Sequence, residues 1–351
     1  MENDNHTTWL SVQLFYNEPW EEFLERAIEP YVNTAIQTGI AESYFFIRYW
    51  ERGPHIRLRL KGNSDMVKTI LKPNLEEHFE NYFDSIPSQR VDPNYPESFD
   101  DNLKWLPNNT IFYNDYIPEI NRFGSGNSLK IVEDLFMVSS KAVLELIKTM
   151  GKTWSYDDAL GNAIKIHIAF VFSAGLNLDQ AILFFDFFSK NWLPYTFQQK
   201  EENLSSEERI HQEKLSISAF EISFEEQKEN LIPFHEIIWN GLNSEDQFED
   251  DLLNNWVEAN QQKLDQLKIE LQNNKAIQRS EEFQYPIKSS IVKQNEPFWS
   301  ILADLVHLTN NRLGILNRDE SYLTFMIKKC LESLKKNDTS IVSPSNQSFS
   351  N

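Results

Sequence analysis

Two strand-like runs joined by a short turn constrain the fold of this chain more than any other feature. Residues 43–61 read SYFFIRYWERGPHIRLRLK, and β-forming residues flank Arg52-Gly53-Pro54. This pattern is typical of a β-hairpin. An earlier run over residues 8–16, TWLSVQLFY, predicts another strand, so we expect a sheet at the start of the chain.

The hairpin also predicts where its charges lie. We take residues 51–54 as the connection, which places Trp50 opposite His55. Cross-strand partners share a face of the sheet. One face then carries Phe46, Arg48, Trp50, His55, Arg57 and Arg59. The other is an apolar core face with Phe45, Ile47, Tyr49, Ile56, Leu58 and Leu60. A slip of one residue would move Arg48 to the core face, and the alternation on both strands favours the register without the slip.

Clustered arginines interleaved with aromatic rings indicate an anionic ligand. The planar guanidinium binds a carboxylate or a phosphate through two hydrogen bonds. Carboxylates of this acidic chain could equally neutralise the cluster, and the residues alone leave both interpretations open.

The remaining chain is mostly helical. Helical spacing covers residues 18–39 and 63–86, with interruptions expected at Pro30 and Pro73, and a short strand follows near residues 110–113. From 128 to about 334 helices dominate, with a break near Asn317. We therefore predict an α+β fold: N-terminal strands and the hairpin form a sheet, and a largely α-helical remainder follows.

We expect one domain over residues 1–335. Within it, residues 197–274 form an acidic, helical, insertion-like region, and residues 336–351 form a disordered tail.

Composition excludes several classes of function. The 351 residues carry a formal net charge of −20, which argues against broad binding to nucleic acid or anionic membranes but not against a small cationic pocket. The single cysteine, Cys330, excludes an internal disulfide and a cysteine-based zinc site. The acidic N-terminus resembles no secretory signal, and the apolar stretch 163–176 is too short to span a bilayer. We expect a cytoplasmic protein.

A second polar cluster lies late in the chain. On a helix, Ser300, Asp304, His307 and Asn311 share one face. His307 could transfer protons near neutral pH, or it could be a structural histidine. The chain has no metal-binding, serine-hydrolase or nucleotide-hydrolase pattern, so we predict no metal site.

Three motifs together resemble one family. The strand TWLSVQLFY with the hairpin segments FFIRYW and GPHIRLRL is similar to the start of the thiopeptide-type bacteriocin biosynthesis domain. That domain also forms the C-terminal glutamate-elimination part of class I lanthipeptide dehydratases. Tyr116-x-Pro118-Glu119-x-x-Arg122-Phe123-Gly124 resembles the family's Tyr-x-x-Glu-x-x-Arg-Tyr-Gly-Gly signature, and His307-x-x-x-Asn311-Arg312 resembles its His-x-x-x-Asn-Arg motif. The chain departs from the signature at Phe123-Gly124-Ser125, where the family has Tyr-Gly-Gly.

The resemblance implies β-elimination of glutamate from glutamylated Ser or Thr of a precursor peptide, which leaves dehydroalanine or dehydrobutyrine. It implies a stand-alone subunit that works with a separate tRNA-dependent glutamylation protein and needs no cofactor. The matching catalytic positions are Arg57, Arg59, Arg122 and His307. We assign Arg57 and Arg59 to glutamate binding, Arg122 to stabilising the leaving group or the enolate, and His307 to proton transfer. Further candidate substrate-binding residues are Arg48, Trp50, His55, Asn311 and Arg312.

Two other functions stay open. Some stand-alone members of the family resemble pyridine synthases, which join two dehydroamino acids by a formal [4+2] cycloaddition. A non-catalytic subunit that binds the precursor or scaffolds the glutamylation protein is the third possibility, and the acidic region 197–274 could supply such a surface. The oligomeric state is open as well.

Overall fold

The computed structural model describes residues 7–197, 204–244, 250–273 and 296–341. The strands are β1 (Thr7–Phe15), β2 (Ser43–Tyr49), β3 (His55–Asn63) and β4 (Thr110–Tyr113). The sheet is antiparallel with the order β2-β3-β1-β4. With a mostly helical remainder, this confirms the predicted α+β fold.

Helices make up most of the rest of the described chain. The helices are α1 (Glu21–Phe23, Leu24–Ile28 and Glu29–Gln37), α2 (Ser64–Met66, Val67–Leu71 and Lys72–Ser85), α3 (Ile120–Phe123), α4 (Asn127–Met150), α5 (Tyr156–Ser173), α6 (Leu178–Trp192), α7 (Ser206–Leu242), α8 (Asp251–Asn273), α9 (Glu296–Leu313) and α10 (Asn317–Ile341). Helix α10 extends six residues into the segment 336–351, which we expected to be a tail. The rest of that segment lies outside the described residues.

The two predicted interruptions take the form of wide turns inside continuous helices. A π turn, Leu24–Ile28, precedes Pro30 in α1, and another, Val67–Leu71, precedes Pro73 in α2. Proline has no backbone N–H and its ring crowds the preceding turn. A π turn at that point lets the helix continue with different hydrogen-bond spacing.

The observed hairpin register differs from the assumed one by one residue. His55 pairs with Tyr49, and Arg59 pairs with Phe45, so the connection is residues 50–54. The Gly53 N–H donates to the Trp50 carbonyl at 3.0 Å, and Gly53 has a φ of 106°. This left-handed glycine lengthens the turn by one residue.

The assumed assignment of β2 residues to faces was therefore wrong. Tyr44, Phe46 and Arg48 share the core face with Ile56 and Leu58. Phe45, Ile47 and Tyr49 instead lie beside Arg57 and Arg59 on the opposite face. Both alternating sets of β2 contain aromatic residues, so the strand pattern did not distinguish the two registers.

The chain divides into two compact units. The first comprises Met1–Tyr156, Glu270–Phe283 and His307–Gly314, and the second comprises Asp157–Ile269, Gln284–Val306 and Ile315–Asn351. The sheet and the C-terminal turns of α9 belong to the first unit. The prediction of one domain over residues 1–335 stays a prediction.

The second unit is helical in its described part. α10 packs on α6, where the Ser189 hydroxyl bonds to the Ser321 carbonyl at 2.9 Å. α8 is tied to α5 by the Trp256 indole, which donates to the Ile166 carbonyl at 2.9 Å. The helices predicted within region 197–274 are present as α7 and α8. In the described residues, no helix combines the length and the apolar character needed to cross a membrane.

Candidate functional site

A cavity of about 450 Å³ opens on the face of the sheet opposite the core. Its walls come from β2, β3, residues 114–123 and the C-terminal end of α9, all in the first unit. Six of the predicted site residues line it: Arg57, Arg59, Arg122, His307, Asn311 and Arg312. Residues up to 255 positions apart in the sequence thus meet in one concave site.

Arg57 projects from β3 and is held on three sides. Its guanidinium carbon lies 3.4 Å from the centroid of the Tyr49 ring. Its Nη2 donates to Glu51 at 2.9 Å, and its Nε donates to His55 Nε2 at 3.2 Å. Stacking and two hydrogen bonds restrict the side chain to one orientation at the cavity wall.

Arg59 and Arg312 form the buried cationic part of the cavity. Their side chains are nearly inaccessible to solvent, and Arg312 Nε donates to the Ser140 hydroxyl at 3.0 Å. Among the described residues, Arg59 Nε and Nη1 and Arg312 Nη1 and Nη2 have no hydrogen-bond partner. Burial and then Arg57 lower the pKa of Arg59 to about 10, and burial and then Arg59 lower the pKa of Arg312 to about 9. Both groups still carry charge at neutral pH.

Burial of two guanidinium cations costs free energy unless hydrogen bonds or an opposite charge compensate them. The missing hydrogen bonds point to a ligand with several acceptor oxygens, such as a carboxylate. At Arg59 this geometry supports the anion interpretation of the arginine cluster, whereas carboxylates of the chain pair with the other two arginines, Arg57 with Glu51 and Arg48 with Glu21.

Tyr116 covers Arg59 and was not predicted as a site residue, although it opens one of the three motifs. Its ring centroid lies 5.5 Å from the Arg59 guanidinium carbon. Its hydroxyl donates to Glu133 at 2.9 Å. Burial raises the pKa of Glu133, and burial with the nearby Glu133 raises the pKa of Tyr116. Glu133 carried no sequence signal because it lies on α4, outside every motif.

Arg122 lies on the short helix α3, which ends at Gly124 with a φ of 80°. The guanidinium is 3.5 Å from a Glu119 oxygen, as expected for residues three apart on a helix. Glu119 also lines the cavity and its side chain is exposed. This ion pair is therefore weak.

His307 is half-buried on α9 and lines the cavity. One turn later, Asn311 makes two hydrogen bonds with the backbone of Arg48. Its Oδ1 accepts from the Arg48 N–H at 2.9 Å, and its Nδ2 donates to the Arg48 carbonyl at 3.0 Å. The amide of Asn311 thus completes the backbone hydrogen bonding of β2 and attaches α9 to the sheet.

Three predicted binding residues do not line the cavity. Arg48 is on the core face, where its guanidinium donates to Glu21 at 2.7 Å and to the Arg312 carbonyl at 2.9 Å. Trp50 is in the hairpin loop and donates to Glu18 at 3.2 Å. His55 is fully buried behind Arg57. The one-residue shift in register explains why Arg48 and Trp50 do not line the cavity.

Comparisons with known proteins identify the family and the fold. The family described as lantibiotic biosynthesis dehydratase C-term matches residues 9–331. No curated protein matches the chain.

Several solved structures share the fold. The pyridine synthase TbtD from thiomuracin biosynthesis has a TM-score of 0.68 at 12% identity, covering 94% of this chain and 99% of that one. TsrL has a TM-score of 0.60 at 16% identity, covering 97% and 100%. The tRNA dependent lantibiotic dehydratase MibB from Microbispora sp. 107891 has a TM-score of 0.53 at 19% identity, covering 96% of this chain and 29% of that one. At these identities the likeness shows a common fold.

Proposed function

The chain belongs to the lantibiotic biosynthesis dehydratase C-terminal family, and we propose that it is the glutamate-elimination subunit of a split dehydratase. Its substrate is a precursor peptide with Ser or Thr esterified by glutamate. The reaction removes the Cα proton, breaks the Cβ–O bond and releases glutamate as a carboxylate. The peptide retains a dehydroalanine or a dehydrobutyrine.

One observation carries this proposal: Arg57, Arg59, Arg122 and His307 line the same cavity. An elimination that expels glutamate needs cationic groups for the departing carboxylate and a group that transfers the proton. The buried, unpaired guanidinium nitrogens of Arg59 and Arg312 supply cationic groups that an anion would satisfy.

The family resemblance and the shared cavity support the following roles. Arg57 and Arg59 hold the glutamyl group, and the buried Arg312 adds a further positive charge to the cavity. Arg122 stabilises the enolate or the leaving carboxylate, and His307 transfers the proton. The electron pair of the broken C–H bond forms the double bond as the carboxylate leaves, so the step needs neither an oxidant nor a cofactor.

A separate protein supplies the glutamylation. The matched fold covers 29% of the tRNA dependent dehydratase MibB, and the proposed elimination starts from a peptide that is already glutamylated. The partners in this proposal are therefore a glutamylated precursor peptide and a glutamylation enzyme. The reaction takes place in the cytoplasm, where charged tRNA is available.

The test uses purified protein and a synthetic precursor peptide with one glutamylated serine, followed by mass spectrometry. Loss of glutamate with formation of dehydroalanine is the expected result. His307→Ala and Arg59→Ala should each abolish this loss. Arg26→Ala is the matched control and should retain activity, because Arg26 forms an exposed ion pair with Glu22. An unchanged mass for a peptide that binds would contradict the proposal.

A pyridine synthase is the second candidate, because the fold covers the whole of TbtD. A [4+2] cycloaddition acts on dehydrated residues and has no glutamate to bind. The same assay with a dehydrated peptide distinguishes the two: cyclisation with no elimination would favour the synthase. Binding of either peptide without conversion would favour a scaffold.

A further inference from the structure

His55 is buried at the first position of β3 with no accessible surface. Its ring lies between Phe15, 4.5 Å away, and Tyr49, 5.7 Å away. The charged groups that face it are Arg57, Glu51 and Arg59. The imidazole does not line the cavity, so it cannot bind the substrate as the sequence suggested.

The contacts of His55 determine its tautomer. Nδ1 lies 2.8 Å from the Gly53 carbonyl oxygen. A carbonyl oxygen only accepts hydrogen bonds, so the proton is on Nδ1. Nε2 of a neutral imidazole is then an acceptor, and Arg57 Nε donates to it at 3.2 Å. Burial lowers the pKa of His55 to about 4, so the ring is neutral at pH 7.

A neutral acceptor is suited to this position. A buried carboxylate in place of His55 would neutralise Arg57 and compete with an anionic ligand. Imidazole fixes the Nε edge of the guanidinium and leaves its charge intact. Glu51, the other partner of Arg57, is 66% exposed, so water and salt screen its ion pair.

We propose that His55 is a positioning residue, whose Nδ1-protonated imidazole orients Arg57 toward the ligand in the cavity. Gly53 takes part because its carbonyl fixes the tautomer, and this requires the left-handed turn of the hairpin. The inference rests on the proposed function only in naming glutamate as the ligand of Arg57.

The first test measures the imidazole directly, by nitrogen NMR of the whole chain labelled at histidine. The chain has seven histidines, and the His55 signals are those that disappear in His55→Gln. We expect a protonated Nδ1, an unprotonated Nε2, and no titration between pH 5 and pH 8. Arg57→Met should shift the Nε2 resonance. A proton on Nε2, titration near pH 6.5, or no response to Arg57→Met would overturn the inference.

The second test compares two variants that each keep one of the two hydrogen-bonding positions of the imidazole. The amide oxygen of His55→Gln lies near the place of Nε2 and can accept from Arg57. The shorter side chain of His55→Asn reaches only toward the Gly53 carbonyl. We expect KM for the glutamylated peptide to stay near wild type in His55→Gln and to rise about tenfold in His55→Asn, with kcat nearly unchanged in both.

Equal KM values in these variants, with folding verified by circular dichroism, would show that His55 is merely structural. Failure of the proposed function gives a different result. The wild type would then leave the glutamylated peptide unchanged while the NMR signature and its response to Arg57→Met persist. The NMR experiment therefore decides the inference whether or not the protein eliminates glutamate.

Discussion

At the scale of single residues, Arg48 and Arg312 show how a carboxylate partner separates a structural buried arginine from one available to a ligand. Both are at most 4% exposed. Arg48 has an ion pair with Glu21 at 2.7 Å and a single nitrogen, Nη2, without a hydrogen-bond partner, whereas Arg312 has no ion pair and two nitrogens without a partner among the described residues. An uncompensated buried charge destabilises the fold, and this is characteristic of binding sites.

Replacement of each arginine by methionine tests this distinction. Arg312→Met removes an unpaired buried charge at similar volume, so we expect unchanged or higher free energy of unfolding and loss of elimination activity. Arg48→Met leaves Glu21 and the Arg312 carbonyl without their partner and should cost about 3 kcal/mol. Urea denaturation measures both, and the mass assay measures activity. A large loss of stability in Arg312→Met would indicate a structural role.

At the scale of elements, two contacts with β2 and a terminal glycine fix the C-terminal end of α9. Asn311 bonds to the backbone of Arg48, the Arg48 side chain donates to the Arg312 carbonyl, and Gly314 ends the helix with a φ of 86°. A cation at a helix C-terminus also interacts favourably with the helix dipole. These contacts hold His307, one turn earlier, at the cavity wall.

Gly314→Ala should disrupt this end of the helix. A Cβ at Gly314 would lie 2.9 Å from Arg48 Nη1, and Arg48 cannot move away without losing Glu21. Gly39 is the matched control, because it has a φ of 71° and nothing within 4 Å of its added Cβ. We expect Gly39→Ala to cost about 1–2 kcal/mol for the left-handed backbone alone.

Gly314→Ala should cost roughly twice as much, because it adds the displacement of Arg48 to the same backbone strain. It should also lower kcat through movement of His307. Urea denaturation and the mass assay measure the two effects. If Gly314→Ala and Gly39→Ala destabilise the protein equally, the contact with Arg48 does not help to hold α9 in place.

At the scale of the whole molecule, two buried histidines contribute to the loss of stability in acid. Burial lowers the pKa of His55 and of His235 to about 4, against 6.5 for an ordinary histidine. Between these values the unfolded chain binds more protons than the folded chain. The free energy of unfolding is therefore unaffected by these groups above pH 6.5 and falls as the pH drops toward 4.

His235→Leu should reduce this acid sensitivity. Its ring is buried on α7, where Nδ1 donates to the Leu231 carbonyl and Nε2 has no partner among the described residues. We expect the loss of stability between pH 6.5 and pH 4 to be smaller by roughly 2 kcal/mol than in the wild type. His211→Leu, at an exposed position of the same helix, is the control. Parallel pH curves for wild type and His235→Leu would contradict the assignment.

Local patterns in the sequence determined the class of fold and singled out six residues that line the cavity. Strand alternation predicted the hairpin, and helical spacing predicted α9, α10 and the break at Asn317. The motifs around Arg57, Arg122 and His307 predicted members of one site. These signals are local, because the periodicity of side chains along a helix or strand and the residues of a turn depend on a few neighbouring positions.

Only the tertiary structure decided the register of the hairpin and the partner of each charge. Aromatic residues occur on both faces of β2, so its own pattern allows two registers, and the left-handed turn at Gly53 selects one. In this register Arg48 pairs with Glu21 and bonds to α9, and His55 orients Arg57. The distinction between Arg312 and Arg48 also depends on contacts between separate segments: the Arg48–Glu21 ion pair joins residues 27 positions apart, and the Arg312–Ser140 hydrogen bond joins residues 172 positions apart. Burial and hydrogen bonding are properties of the packed chain and not of the segment that carries the residue.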